Sequence, residues 1–197
     1  MVVGLAALAV GLAVALGRGE DGEASEGGFR GSLPPTEIRV PDFALRDYRG
    51  AVVTSDDLRG KALAVTFLDT QCTEACPVIA RRIADAWRLL ASGERSRTAA
   101  YAISVDPEED TPRAVRLFLR RHRAESALGY LVGPPGALRT VWDSFQVVPS
   151  VESGDDDIHS APVRIYDPDG VWVSTLHPGV DLTPENLAHD LSRALDD

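Results

Sequence analysis

Cys72 and Cys76 are the only cysteines among 197 residues, and they stand in the stretch FLDTQCTEACPVIARRI, ahead of a proline and an amphipathic run. A thiol pair at this spacing serves one of three chemistries: a disulfide staple, a redox couple, or two thiolates for a soft metal. A chain of this length with 44% apolar residues builds a buried core without a covalent staple, which weakens the first. Redox couples of the CxxC type separate their thiols by two residues, whereas here Thr73, Glu74 and Ala75 intervene. The wider loop still closes a disulfide, and it also lets both sulfurs face one ion with less strain. Two sulfurs alone leave a monovalent copper ion undercoordinated, so a third donor, an imidazole, is expected if the pair binds metal.

The chain offers four histidines. His122 follows Val115 and Phe118 at helical spacing and reads as a helix-end residue. His189 stands beside Asp190 in a terminal helix and reads as a solvated position. His177, in TLHPGV, reads as loop and is a reserve ligand. His159, in DDDIHSAPVRIYD, immediately precedes a core strand and is the strongest candidate.

The elements that position these groups follow from periodicity. KALAVTFLD is a continuous apolar run of strand length, hence a buried central strand. From Cys76 onward Ile79, Ile83, Ala86, Trp87 and Leu90 recur at helical spacing, with Arg81, Arg82, Asp85 and Arg88 turned away. Pro77 suits the first turn, where its missing N–H costs nothing. The thiols therefore sit at a strand-to-helix junction. Placement at a helix N-terminus predicts that Cys76 ionises more readily than a free thiol, while Asp69 and Glu74 work against ionisation of the pair.

TAAYAISVD reads as a second buried strand, and DTPRAVRLFLRRH as a helix capped by Asp110 or Thr111. LGYLVG, then PGALRTVWDSF, supply a short strand and a helix. PVRIYDPDGVWVSTL is a hairpin turning on Pro168, Asp169 and Gly170, and TPENLAHDLSRAL a terminal helix capped by Thr183. A further hairpin, FALRDYRGAVVT, precedes the central strand. Alternation of this kind with a cysteine pair at the first strand-helix junction predicts an α/β, thioredoxin-like fold carrying an N-terminal β-hairpin extension. In such a fold the loop that carries His159 lies opposite the cysteine junction. Pro162 stands near the position where thioredoxins carry a cis proline, which predicts a cis bond or a constraint on that loop.

Residues 1–17 carry no charge and read as a secretory signal or membrane anchor, at the short end of the ~20 residues that span a bilayer. Residues 18–37, rich in Gly, Ser, Glu and Pro, read as a flexible linker, which places the folded domain at 38–197. The domain is then exported: anchored to the outer face of the cytoplasmic membrane, or extracytoplasmic if the segment is cleaved. A balance of 20 basic against 30 acidic residues, formally −10, disfavours nucleic acid as a partner. The acidic groups Asp106 to Asp110 and Asp155 to Asp157 read as a strand-to-helix turn and a solvated loop, not as hard-metal sites.

Taken together, PDFALRDYRGAVVTSDDLRGK, FLDTQCTEACP, SVDPEEDTPRAVRLFLRRH and IHSAPVRIYDPDG resemble, in order, the Sco/SenC family of copper chaperones. The resemblance implies copper, as Cu(I) or Cu(II), bound by Cys72, Cys76 and His159. It also implies a role in assembling the copper centre of cytochrome c oxidase subunit II, with copper-donor or thiol-disulfide proteins as further partners. The alternative is an exported thiol-disulfide oxidoreductase acting through Cys72 and Cys76. One departure from the family stands out: Ile158 precedes the histidine where an acidic residue is usual.

Overall fold

Every residue of the run Ala62–Leu68 is buried, because helices cover both faces of the sheet it centres. The computed structural model describes residues 28–147 and 161–196. The order is β1 (Ala44–Asp47), β2 (Val52–Thr54), a 3₁₀ turn (Asp56–Leu58), β3 (Ala62–Leu68), α1 (Ala75–Leu89), α2 (Ser92–Ser96), β4 (Thr98–Ser104), α3 (Pro112–Arg121), β5 (Gly129–Val132), α4 (Pro135–Phe145), β6 (Val163–Tyr166), β7 (Trp172–Leu176) and α5 (Pro184–Ala194). The seven strands form one sheet in the order β2-β1-β5-β4-β3-β6-β7. β3, β4 and β5 are parallel, while β6 and β7 add antiparallel on one side and the β1–β2 hairpin on the other.

Alternate residues of β3 serve two cores. Ala62, Ala64 and Leu68 pack with Ile79 and Ile83 of α1, Phe118 of α3 and Leu187 and Leu191 of α5. Leu63, Val65 and Phe67 pack on the opposite face with Leu138, Trp142 and Phe145 of α4. A β3–α1–β4 parallel crossover followed by an antiparallel β6–β7 hairpin and a closing helix is the thioredoxin-like arrangement, here extended by β1–β2 as expected. Thr111 and Thr183 cap α3 and α5 by accepting the backbone N–H of Ala114 and Asn186.

Three expectations meet a different outcome. The Ala161–Pro162 bond is trans, as is every peptide bond among the described residues, so of the two outcomes expected at Pro162 the cis bond is not found. Hydrogen bonding to the domain also begins upstream of residue 38. Arg30 N and Gly31 N donate to the Asp190 carboxylate at 2.8 and 3.0 Å, and Ser32 pairs with Thr175. His189, expected to be solvated, bonds through Nε2 to the Gly28 carbonyl at 3.0 Å. Composition hid this because the tether is held chiefly by backbone groups reaching a buried carboxylate, with Phe29 alone among its side chains packed against the core. Among the described residues no helix is long and apolar enough to cross a membrane, and the 1–17 segment lies outside them.

Candidate metal centre

β3 ends at Leu68 and α1 begins at Ala75, so the cysteine loop spans the gap between a buried strand and a helix N-terminus. The first-turn N–H groups of α1 have no partner within the helix. Cys72 Sγ fills that role: it accepts the N–H of Cys76 at 3.4 Å, and the N–H groups of Glu74 and Ala75 also point to it. The Cys76 thiol donates to the same sulfur, and together these pull the half-buried Cys72 down to about 5.

Cys76 behaves in the opposite way. It is 6% exposed, and both its donation to Cys72 and its burial push it well above the usual thiol range. The expectation that Cys76 would be the ionised thiol is therefore reversed. It lies inside the first turn and faces the core, while the residue that receives the helix's free N–H groups is Cys72. Asp69 does raise Cys76 through its charge, as expected, but it is itself pushed up to about 6 by burial, against a 2.6 Å hydrogen bond from Gln71 N–H. Glu74 favours ionisation of Cys72 through its backbone N–H.

A buried network fixes this loop. Asp110, 3% exposed, accepts Thr70 N–H at 2.9 Å, Ser104 Oγ at 2.6 Å and Tyr130 OH at 2.8 Å, and the Tyr130 hydroxyl also lies 2.8 Å from the Leu68 carbonyl. One carboxylate thus joins the cysteine loop to β4 and β5. Burial pushes Asp110 upward, with the three hydrogen bonds pulling the other way. Sequence reasoning saw Asp110 only as a cap or turn residue, and the cap is Thr111. The adjoining acidic residues are a turn: Glu108 and Glu109 N–H donate to Asp106 Oδ1 at 3.2 Å.

The strand that follows the expected third ligand arrives at the same end of the sheet. β6 runs antiparallel to β3 with Val65 opposite Arg164, and Thr66 Oγ1 donates to the Ala161 carbonyl at 3.5 Å. His159 precedes Ala161 by two residues in sequence and lies outside the described residues, as does the Asp155 to Asp157 run. His122 is the helix-end residue expected, closing α3. The exposed reserve ligand His177 follows β7, and its N–H donates to Asp181 Oδ1 at 2.5 Å. Among the described residues no three His, Cys, Asp or Glu side chains converge as a metal site. The adjacent sulfurs of Cys72 and Cys76 nevertheless form a soft donor pair, one of them ionised, which fits a monovalent copper ion better than a hard cation.

A family model described as SCO1/SenC matches residues 32–196. The chain belongs to the SCO1/SenC family. It is 27% identical over 152 residues to the SCO2-like protein of Rickettsia felis, covering 74% of this chain and 72% of that one. Among solved structures, ScoI of Bradyrhizobium japonicum with copper bound is 31% identical, covers 80% of this chain and 100% of its own, and superposes with a TM-score of 0.65. BsSco, described as having a disulfide switch and as a member of the Sco family of cytochrome c oxidase assembly proteins, covers 83% of this chain and 96% of its own at 24% identity and a TM-score of 0.67. At that identity BsSco attests the fold.

Proposed function

We propose that this SCO1/SenC family member is a copper metallochaperone that binds one copper ion through Cys72, Cys76 and His159 and helps assemble the copper centre of cytochrome c oxidase subunit II. The observation that carries this reading is the paired sulfurs at the start of α1, where Cys72 Sγ accepts the N–H of Cys76 and the Cys76 thiol faces the same sulfur. The copper-bound B. japonicum relative and the oxidase-assembly role given for BsSco agree with it. A carrier of this kind works from the outer face of the cytoplasmic membrane, held or first exported by residues 1–17. His159 completes a two-sulfur, one-nitrogen set suited to Cu(I). The test is titration of the reduced protein with Cu(I) against a chromophoric chelator. One ion bound per chain, lost in Cys72→Ser and strongly weakened in His159→Ala, is the expected result.

The asymmetry of the pair also favours a second reading, thiol-disulfide exchange. The Cys72 thiolate attacks a substrate disulfide, forming a mixed disulfide and releasing one substrate thiolate. Cys76 then gives up its proton and attacks the Cys72 sulfur, releasing the second thiolate and leaving the Cys72–Cys76 disulfide. Equal disulfide-reducing activity in wild type and His159→Ala, without copper affinity, is the result that selects this reading.

A further inference from the structure

Beside Cys72, α1 and α3 leave between them an open cleft of about 570 Å³. Thr70, Gln71 and Thr73 of the cysteine loop form one end, Pro77, Leu117 and Phe118 supply an apolar floor, and Arg81, Arg121 and His122 supply the polar wall. Among the described residues no carboxylate lines it. His122 Nδ1 lies 3.2 Å from Arg81 Nη1 and accepts from it, and the ring packs edge-on against Phe118 at 4.7 Å, so the imidazole is buried and orients the arginine. Burial and the two neighbouring arginines, Arg81 and Arg121, hold His122 below its usual range.

The surroundings extend this charge. In a chain of formal charge −10, α3 and its following turn present Arg113, Arg116, Arg120, Arg121 and Arg123, all exposed, and residues 112–124 contain no acid. Among the described residues none of the five is paired with a carboxylate. Leu117 and Val78, 55% and 37% exposed, add apolar contact on the facing helices. A basic helix face on an acidic protein orients an incoming anionic surface, and Arg121 of that face, with Arg81, lines the cleft that Cys72 also lines.

We propose that the α1–α3 cleft is the docking surface for a client protein, and that it receives an acidic segment flanking the client's own cysteines, so that those sulfurs meet Cys72. This rests on the reading that the pair exchanges copper or electrons with a client. The occupant is a carboxylate-bearing peptide segment: the cleft holds a few side chains, its cations Arg81 and Arg121 stand on the two facing helices, and its floor is apolar.

The test uses the full-length reduced protein and a fluorescein-labelled peptide rich in Glu around a central serine, which keeps thiol chemistry out of the measurement. Its counterpart carries Lys in place of Glu. The Glu peptide binds with an affinity that falls steeply as salt rises, and the Lys peptide does not bind. Arg121→Glu weakens the Glu peptide about five- to tenfold, Arg121→Ala weakens it less, and Arg59→Glu on the other face of the sheet changes nothing. Cu(I) loading is measured on the same samples. Arg121→Glu loading one copper while losing the peptide supports the cleft. If it retains both, the docking proposal falls and the copper reading stands. Equal binding of the two peptides, or displacement by citrate as complete as by unlabelled peptide, overturns the proposal as well.

Discussion

Removing the Asp110 carboxylate is the sharpest probe of how the fold holds the cysteine loop. In Asp110→Ala three groups lose the carboxylate, and they are not equivalent. Ser104 is fully buried, and its hydroxyl is left without an acceptor, at a cost of about 1–3 kcal/mol. Thr70 lies toward the surface, so its N–H is partly rehydrated and the loss is about 1 kcal/mol. Tyr130 keeps the Leu68 carbonyl at 2.8 Å and costs little. Against this stands relief from burying an acid whose ionisation the fold disfavours. The net expectation is a loss of about 2–3 kcal/mol, a fall in Tm of roughly 5–10 °C. Asp110→Asn keeps an oxygen for Thr70 and is expected to cost less than about 1.5 kcal/mol. Urea unfolding followed by tryptophan fluorescence reads both, with an unchanged m-value confirming the two-state comparison. The sign of the pH dependence follows. A folded-state acid raised above its unfolded value favours folding below about pH 4 and loses that contribution as pH rises through the folded value, so wild type weakens relative to Asp110→Asn with rising pH. An Asp110→Ala protein within about 0.5 kcal/mol of wild type, or an Asn variant weaker than the Ala variant, refutes the reasoning.

Asp69, raised to about 6, gives the same sign in a defined window: wild type loses stability relative to Asp69→Asn between about pH 4 and 6, measured by denaturation across that range. Cys72 runs the other way, since its depressed value contributes stability that is full above about pH 8.5 and lost as pH falls to about 5. Its alkylation rate by iodoacetamide should therefore be flat above about pH 6, and Cys76→Ala, which removes the thiol donor, should shift the profile upward. Asp190 is fully buried and accepts from Arg30 N, Gly31 N and Ser174 Oγ, so Asp190→Ala should cost about 2–4 kcal/mol and expose Arg30 to trypsin under native conditions. Gly31→Ala should release the same strap with Asp190 still present, because a Cβ there would overlap the Ser174 hydroxyl, which donates to Asp190, and the Thr175 carbonyl oxygen.

Local chemistry made much of this protein legible in its sequence. The run Ala62–Leu68, apolar but for Thr66, required a strand covered on both faces, and the spacing of Ile79 and Ile83 required a helix immediately after the cysteines. Thr111, Pro112 and Thr183 marked helix starts through capping and ring geometry that depend on neighbours in the chain alone. The cysteine pair itself, as a chemically available group at a strand-helix junction, was likewise readable from spacing.

What the sequence could not decide depended on groups brought together from far along the chain, or on direction within a single helical turn. A difference of four residues reverses the two thiols: Cys72 lies just outside α1 and collects its free N–H groups, while Cys76 lies just inside and turns to the core. Asp110 becomes the anchor of the cysteine loop only because β4 and β5 deliver Ser104 and Tyr130 to it. The tether before residue 38 is held by Asp190, which periodicity shows only as a polar position on the last helix. Hydrophobic period fixes which face of an element is buried; it carries no information about which distant polar group is waiting on that face, and so the acid-base character of this site was settled only by the tertiary fold.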